Sequence, residues 1–405
     1  AGTVFNKVFF SQTGNGTTAL ILSYMSFAIG YIAGPFGAVF FGHIGDRKGR
    51  KVTMYASLLM MGISTSIIGT LPPAASAGVG VVIVLQLMRL AQCFGRGGTW
   101  GGGILMAYEN VPENKRSFYA AIPQIGLPIG FGLSSILIAV PTLLLPEDIF
   151  FTWGWRIPFL AAIILTVIVI RQKGEMMETE DYKKAQAKLE AEEAEGKKHK
   201  VGFIPMVKGY WKTLLLGCGT RWVDGTFYNI FIVWILSYCI NWLGMPLIQT
   251  YIITIIACIF KIPFTLFGGW CAQKLGNTRT FVIGALASAV LSIPTLKVIE
   301  LSKGNLAITI IGIVLGWSIA YNLIWAVISS LWSSYFETEV RYSGISFVYH
   351  VPSFLVAGMV PTICTLLINY GKGDTIYVGI YSTVVALISA ACALALKARH
   401  DRGEK

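Results

Sequence analysis

Charge is scarce in this chain of 405 residues: Asp, Glu, Lys and Arg make up 13% of it, against roughly 25% in an average soluble domain. With 55% hydrophobic residues and a mean hydropathy of +0.66, that scarcity excludes a large soluble core and points to membrane spans. Acidic residues are the scarcer sign, 20 against 32 Lys and Arg, for a net charge of +12. The cations lie in short loops beside apolar runs and not on one soluble face, which excludes a nucleic-acid partner. The seven Cys, at 93, 218, 239, 258, 271, 364 and 392, form no CxxC pair and no metal spacing. They read as small apolar packing residues, and no metal or cofactor is called for. Gly-x-Gly patterns sit inside apolar stretches and not after a strand, which argues against a nucleotide loop and an ATP-driven pump. An intramembrane hydrolase would need a nucleophile and base at convincing spacing, and none is present. The expectation is a protein that is not an enzyme.

What the chain does have is apolar runs of about 20 residues, the length at which a helix crosses the hydrocarbon layer. They fall near 17–41, 52–71, 79–108, 118–143, 155–171, 210–240, 247–270, 280–299, 306–335, 343–369 and 376–396, which makes eleven. Alternate loops differ sharply in basic residues. One set holds 23 Lys and Arg and the other only Lys7, Arg156, Lys297, Lys303 and Lys372. The positive-inside rule then makes the first set, with the C-terminus, cytoplasmic. The long polar stretch from Arg171 to about Lys208 divides five spans from six and reads as a solvated linker, with a regulatory or partner-binding role as the other reading.

The run Gly42-His43-Ile44-Gly45-Asp46-Arg47-Lys48-Gly49-Arg50-Lys51 packs four basic residues and one Asp between two apolar stretches. Its glycines suit a tight turn, and Asp46 sits where a carboxylate can bind an Arg or a helix N-terminus. This string resembles the loop between helices 2 and 3 in the major facilitator superfamily of secondary transporters. Gly268 through Gly276 occupies the same place in the second half, and Glu337 through Arg341 mirrors Glu109 through Arg116, as expected for paired six-helix halves. Ala272 and Gln273 stand there where Asp and Arg are usual, leaving a second latch in doubt. The stretches Arg89-Leu90-Ala91-Gln92-Cys93-Phe94, Gly97-Gly98-Thr99-Trp100-Gly101-Gly102, Gln124 to Gly130, Trp153-Gly154-Trp155-Arg156-Ile157-Pro158-Phe159-Leu160 and Val340-Arg341-Tyr342-Ser343-Gly344 look like the metabolite:proton symporter family, which includes shikimate, 2-oxoglutarate, citrate and proline/betaine carriers. The resemblance implies an all-α polytopic fold of two six-helix bundles. With eleven spans, and an opening at Ala1 without a basic leader, most of helix 1 is expected to be missing, its outer end left at 1–10. The domains are then 1–170, a linker 171–209 and 210–405. Gly34 stands where this family usually has Arg, and Thr99 where it has Glu, which leaves the coupling route and substrate open.

In a carrier the chemistry sits on polar side chains near the bilayer midplane, where charge is costly enough to face a cavity. Arg89 lies about ten residues into its span, with a planar fork matched to a carboxylate; it either binds substrate or holds neighbouring carbonyls. Arg221 and Asp224 stand at i,i+3 on one face. An Asp that yields its Arg to a substrate carboxylate can accept a proton, so the pair reads as a proton-linked switch, or else as a permanent structural ion pair. Tyr228 and Asn229 follow one turn on. Gln92, Gln124, Tyr321, Asn322, Trp325, Tyr349 and His350 are further candidates, His350 for proton coupling because histidine titrates near neutrality. Lys261, beside Ile262-Pro263, either lines the cavity or snorkels. Arg89, Arg96, Arg221 and Lys261 against Asp224 alone bias the interior toward an anion, although Arg96 could instead bond backbone carbonyls near the cytoplasmic end. Gly42, Asp46, Arg47, Gly49 and Arg50 form the expected conformational loop.

The expected function is thus secondary transport of a small organic anion, most readily a carboxylate, by alternating access with proton symport, in a bacterial cytoplasmic membrane and as a monomer in the lipid bilayer. Two alternatives stand beside it: an uncoupled facilitator of the same fold, and a membrane sensor that binds a metabolite without transporting it.

Overall fold

The computed structural model describes residues 8–9, 16–171, 187 and 203–404, with no strand among them. The expected linker and the remnant at 1–10 lie almost wholly outside the described residues, as do the side chains of Asp46, Arg47 and Arg50. Among the described residues eleven helical segments are long and apolar enough to cross a membrane. We label them α1 (Gly16–Lys48), α2 (Arg50–Thr70), α3 (Val79–Glu109), α4 (Glu113–Leu144), α5 (Gly154–Arg171), α6 (Met206–Asn241), α7 (Leu247–Leu275), α8 (Asn277–Leu301), α9 (Leu306–Ser333), α10 (Val340–Tyr370) and α11 (Ile376–Asp401). Large apolar side chains such as Ile164 and Val290, 65% and 72% exposed, face outward, as they must where lipid replaces water as solvent.

Within the first half α1 packs on α3, α2 on α3 and α5; within the second α11 packs on α6 and α8, and α9 on α7 and α8. The halves meet where α4 runs along α7 and α1 along α10. The α1–α3 approach depends on glycine: a Cβ on Gly97 would come within 2.9 Å of the Gly34 carbonyl oxygen, so only hydrogen fits.

The basic loop corrects one expectation. Gly42 through Lys48 are helical, so the tight turn is made by Gly49 alone, at φ 97°. Gly42 and Gly45 instead let α1 lie against Ser343 and Tyr342 of α10. Gly276 repeats the geometry of Gly49, with φ 90° and ψ 152° against 97° and 153°, which is the internal repeat expressed in the backbone. Only a residue without Cβ adopts that conformation without strain.

Three spans of the second half, α6, α9 and α10, carry π-helical turns at Ile230–Trp234, Val314–Ala320 and Phe354–Gly358. In α4 the helix Arg116–Ala121 gives way to a 3-10 turn at Pro123–Ile125 before resuming at Gly126. Proline lacks the N–H that an uninterrupted helix needs, so the run 118–143 is not one straight helix. The broken turn holds Gln124 in the interior, 3% exposed.

Candidate functional site

Between the halves lies a cavity of about 490 Å³, within the range of small-molecule sites. Its wall is drawn from α1 (Tyr31), α3 (Arg96, Thr99, Trp100), α4 (Gln124, Leu127, Phe131 and Ser134 among others), α6 (Arg221, Asp224, Tyr228, Asn229), α9 (Trp325) and α10 (Tyr349). A third of the lining residues are aromatic, and the charges among them are two guanidiniums and one carboxylate.

The i,i+3 spacing does bring Arg221 onto Asp224, as a buried ion pair through Nη1 and Oδ2. The other carboxylate oxygen accepts a hydrogen bond from the Tyr321 hydroxyl. Arg221 Nε donates to the Tyr349 carbonyl at 3.3 Å, and the guanidinium lies 4.2 Å from the centre of the Tyr349 ring. The far face of that ring stacks on Trp100 of the other half at 4.1 Å and 21°. A cation, a phenol and an indole therefore form one pile across the two halves.

Opposite, Arg96 lies 4.5 Å above the Tyr31 ring and enters no ion pair among the described residues. It belongs to the cavity and not to the end of its helix. Thr99 and Trp100 follow at i+3 and i+4 on the same face. That spacing was visible in the sequence and could have pointed to Arg96 and Trp100; nothing local pointed to Tyr31 or Phe131.

Of the other candidates, Gln124, Tyr228, Asn229, Trp325 and Tyr349 line the cavity, whereas Arg89, Gln92, Asn322 and His350 do not. Gln92 donates to Thr65 Oγ1 at 2.6 Å within the first half. Asn322 accepts from Lys261 Nζ at 2.9 Å and returns a bond to the Lys261 carbonyl at 2.8 Å. Lys261 neither lines the cavity nor snorkels: it is fully buried, its ammonium 4.3 and 4.5 Å from the ring centres of Tyr321 and Trp317. His350 is also fully buried, against Gly34, and neither ring nitrogen has a hydrogen-bond partner among the described residues.

At the basic-loop end the cavity is closed by bonds between the halves. Trp325 Nε1 donates to the Gln124 carbonyl at 3.0 Å, Tyr342 to the Gly98 carbonyl at 2.7 Å, and Arg341 pairs with buried Glu109 at 3.2 Å. Gln273 serves the same purpose without charge, donating to the Asn114 carbonyl and accepting from the Phe118 N–H. Toward the opposite end Tyr24 donates to Ser237 at 2.6 Å. There Arg156 caps the Leu71 carbonyl at 2.8 Å and lies over Trp155, so the Trp-Gly-Trp-Arg stretch is structural.

A bundle of eleven spans around a central polar cavity, bonded shut at one end, defines a membrane carrier. Residues 8–361 match the family model of the Major Facilitator Superfamily. The chain is 34% identical to the inner membrane metabolite transport protein YhjE of Escherichia coli K12, over 98% of this chain and 89% of that protein. It is 30% identical to the shikimate transporter of the same organism, with the same coverage, and 27% identical to the proline/betaine transporter of Salmonella typhimurium LT2, over 98% and 78%. In fold it is similar to the proton:xylose symporter XylE bound to 6-bromo-6-deoxy-D-glucose, with a TM-score of 0.76 at 17% identity over 97% of this chain and 90% of that one. The chain belongs to the major facilitator superfamily: it is a multi-pass membrane transporter and not an enzyme.

Proposed function

We propose that this transporter moves a small organic anion, most readily a carboxylate, across the cytoplasmic membrane by alternating access with proton symport. The carrying observation is the buried Arg221–Asp224 pair in the wall of a cavity that also holds Arg96. A substrate carboxylate that takes Arg221 leaves Asp224 without its ion-pair partner in a water-poor interior, where a carboxyl takes up a proton. Substrate and proton then arrive together. The relatives named for metabolites, for shikimate and for proline or betaine support a small-molecule cargo and differ in its charge. We read 1–170 and 210–405 as the two moving bundles, joined by the cytoplasmic linker 171–209, with the basic-loop end and the C-terminus in the cytoplasm. The bonds at that end then hold the carrier shut toward the cytoplasm.

Uptake of labelled carboxylates, proline and betaine into proteoliposomes under an imposed proton gradient tests this. Gradient-driven accumulation of an acid is expected, with Asp224→Asn losing uphill accumulation and keeping exchange. Unchanged accumulation in that variant removes Asp224 from the coupling step. Uptake that merely equilibrates marks an uncoupled facilitator, and binding without flux marks a sensor.

A further inference from the structure

We infer that Lys261 is a positioning residue for substrate binding: acting through the Tyr321 phenol, it steadies Asp224 while Arg221 passes to the cargo. This rests on the exchange of Arg221 proposed above and adds a group behind it. An ammonium inside a membrane span is costly and calls for compensation. Lys261 is fully buried, yet its direct partners are neutral: Nζ donates to Asn322 Oδ1 at 2.9 Å and lies 4.3 and 4.5 Å from the ring centres of Tyr321 and Trp317. Asn322 Nδ2 in turn donates to the Lys261 carbonyl at 2.8 Å and to Thr265 Oγ1 at 3.0 Å, so α7 and α9 fix the lysine between them. The Tyr321 ring is fixed as well. It follows directly on the π-helical turn Val314–Ala320 and lies nearly parallel to the Phe227 ring of α6, at 6.2 Å and 11°. The ammonium thus acts on a ring held in place, and that ring carries the hydroxyl bonded to Asp224.

A cation over a phenol draws electron density from the ring. The hydroxyl becomes a stronger donor, and a bond to a charged acceptor gains most from that. Asp224 has one partner on each oxygen, Arg221 on Oδ2 and Tyr321 on Oδ1. A substrate carboxylate removes the first. The second then holds the carboxylate until its proton arrives, and the cation behind the ring sets how firmly. Without that cation, parting Arg221 from Asp224 costs more and substrate binds more weakly.

The test is a double-mutant cycle on transport kinetics. Uptake of labelled shikimate, succinate, proline and glycine betaine into proteoliposomes of the full chain, under an imposed proton gradient, selects the compound that the parent accumulates; KM and kcat are measured with it. Lys261→Gln and Lys261→Met both remove the cation, one keeping a donor for Asn322 and the other the length of the side chain. Either should raise KM about fivefold with kcat near the parent, a loss of binding and not of turnover. Tyr321→Phe keeps the ring and loses the hydroxyl, and should raise KM about tenfold, the loss of a hydrogen bond to a charged group. Because Lys261 acts through the phenol, adding Lys261→Gln to Tyr321→Phe should leave KM about tenfold up, whereas independent effects multiply to about fiftyfold. A multiplied effect, or an unchanged KM in both Lys261 variants, overturns the inference and leaves the proposed function standing. A lower melting temperature and kcat at unchanged KM marks a lysine that only pins α7 to α9, and overturns it too. Asp224→Asn accumulating like the parent, or no accumulation of any of these compounds, overturns the proposed exchange and this inference with it.

Discussion

Arg89 and Arg96 lie on one face of α3, seven residues apart, yet only Arg96 borders the cavity. At 1.5 Å per residue the two forks stand about 10 Å apart along the axis, enough to put Arg89 beyond the polar layer. Arg96→Gln should therefore raise the KM for substrate about tenfold, the loss of one charged hydrogen-bonding group. Arg89→Gln should change it less, and parallel uptake kinetics of the two variants rank them. The Arg221–Tyr349–Trp100 pile makes a second residue-scale prediction. Tyr349→Leu removes the face on which the guanidinium and the indole both rest. Substrate affinity should fall while Tyr349→Phe, which keeps the stack, stays near the parent.

Elements are placed by features of a different kind: a missing Cβ, a proline in a helix, a charge cluster at a helix end. Gly97→Val pushes two methyls into the backbone of α1, an overpacking that costs roughly 1–3 kcal/mol or more. Lower melting temperature in detergent and less monodisperse protein are the expected outcome. At the opposite end Lys297 of α8 bridges Glu300 at 3.0 Å and Asp374, in the turn before α11, at 2.7 Å. The Lys297 ammonium and the Ile376 N–H hold the exposed Asp374 carboxyl below the usual carboxylate range. A carboxyl whose folded-state value is depressed stabilises the fold above its unfolded value of about 3.9, and that contribution is lost as pH falls through the folded value. Melting temperature should thus fall as pH drops below about 5, and Lys297→Met should flatten the part of that slope that comes from Asp374.

For the whole molecule the question is which bonds decide between two packings of the halves. Glu109–Arg341 is buried, and breaking a buried charge pair by removing one partner costs roughly 3 kcal/mol. The pair joins α3 to α10 across the halves at the basic-loop end, so that cost falls on the state closed there. Glu109→Gln should shift the population toward opening at that end. Cysteine probes placed on α3 and α10 near that end should become more reactive to a membrane-impermeant thiol reagent. Unchanged reactivity would remove the pair from the gate.

By itself the sequence determined the number of spans, their class and their pairing into repeats, because hydrocarbon demands about 20 apolar residues per helix and the positions Gly49 and Gly276 demand a residue without Cβ. Span ends were less legible. Asp46 to Lys48 look like a loop by composition but continue the helix until Gly49, since nothing before that glycine interrupts the backbone bonds. Arg221 with Asp224 was readable, because i,i+3 is a local spacing. Only the tertiary structure decided that Arg96 joins them, that Asn322 serves Lys261 and not the cavity, and that Tyr31, Trp100 and Tyr349 meet across the halves. Those juxtapositions depend on helices separated by up to hundreds of residues and on how closely glycine lets them approach, which no local pattern encodes.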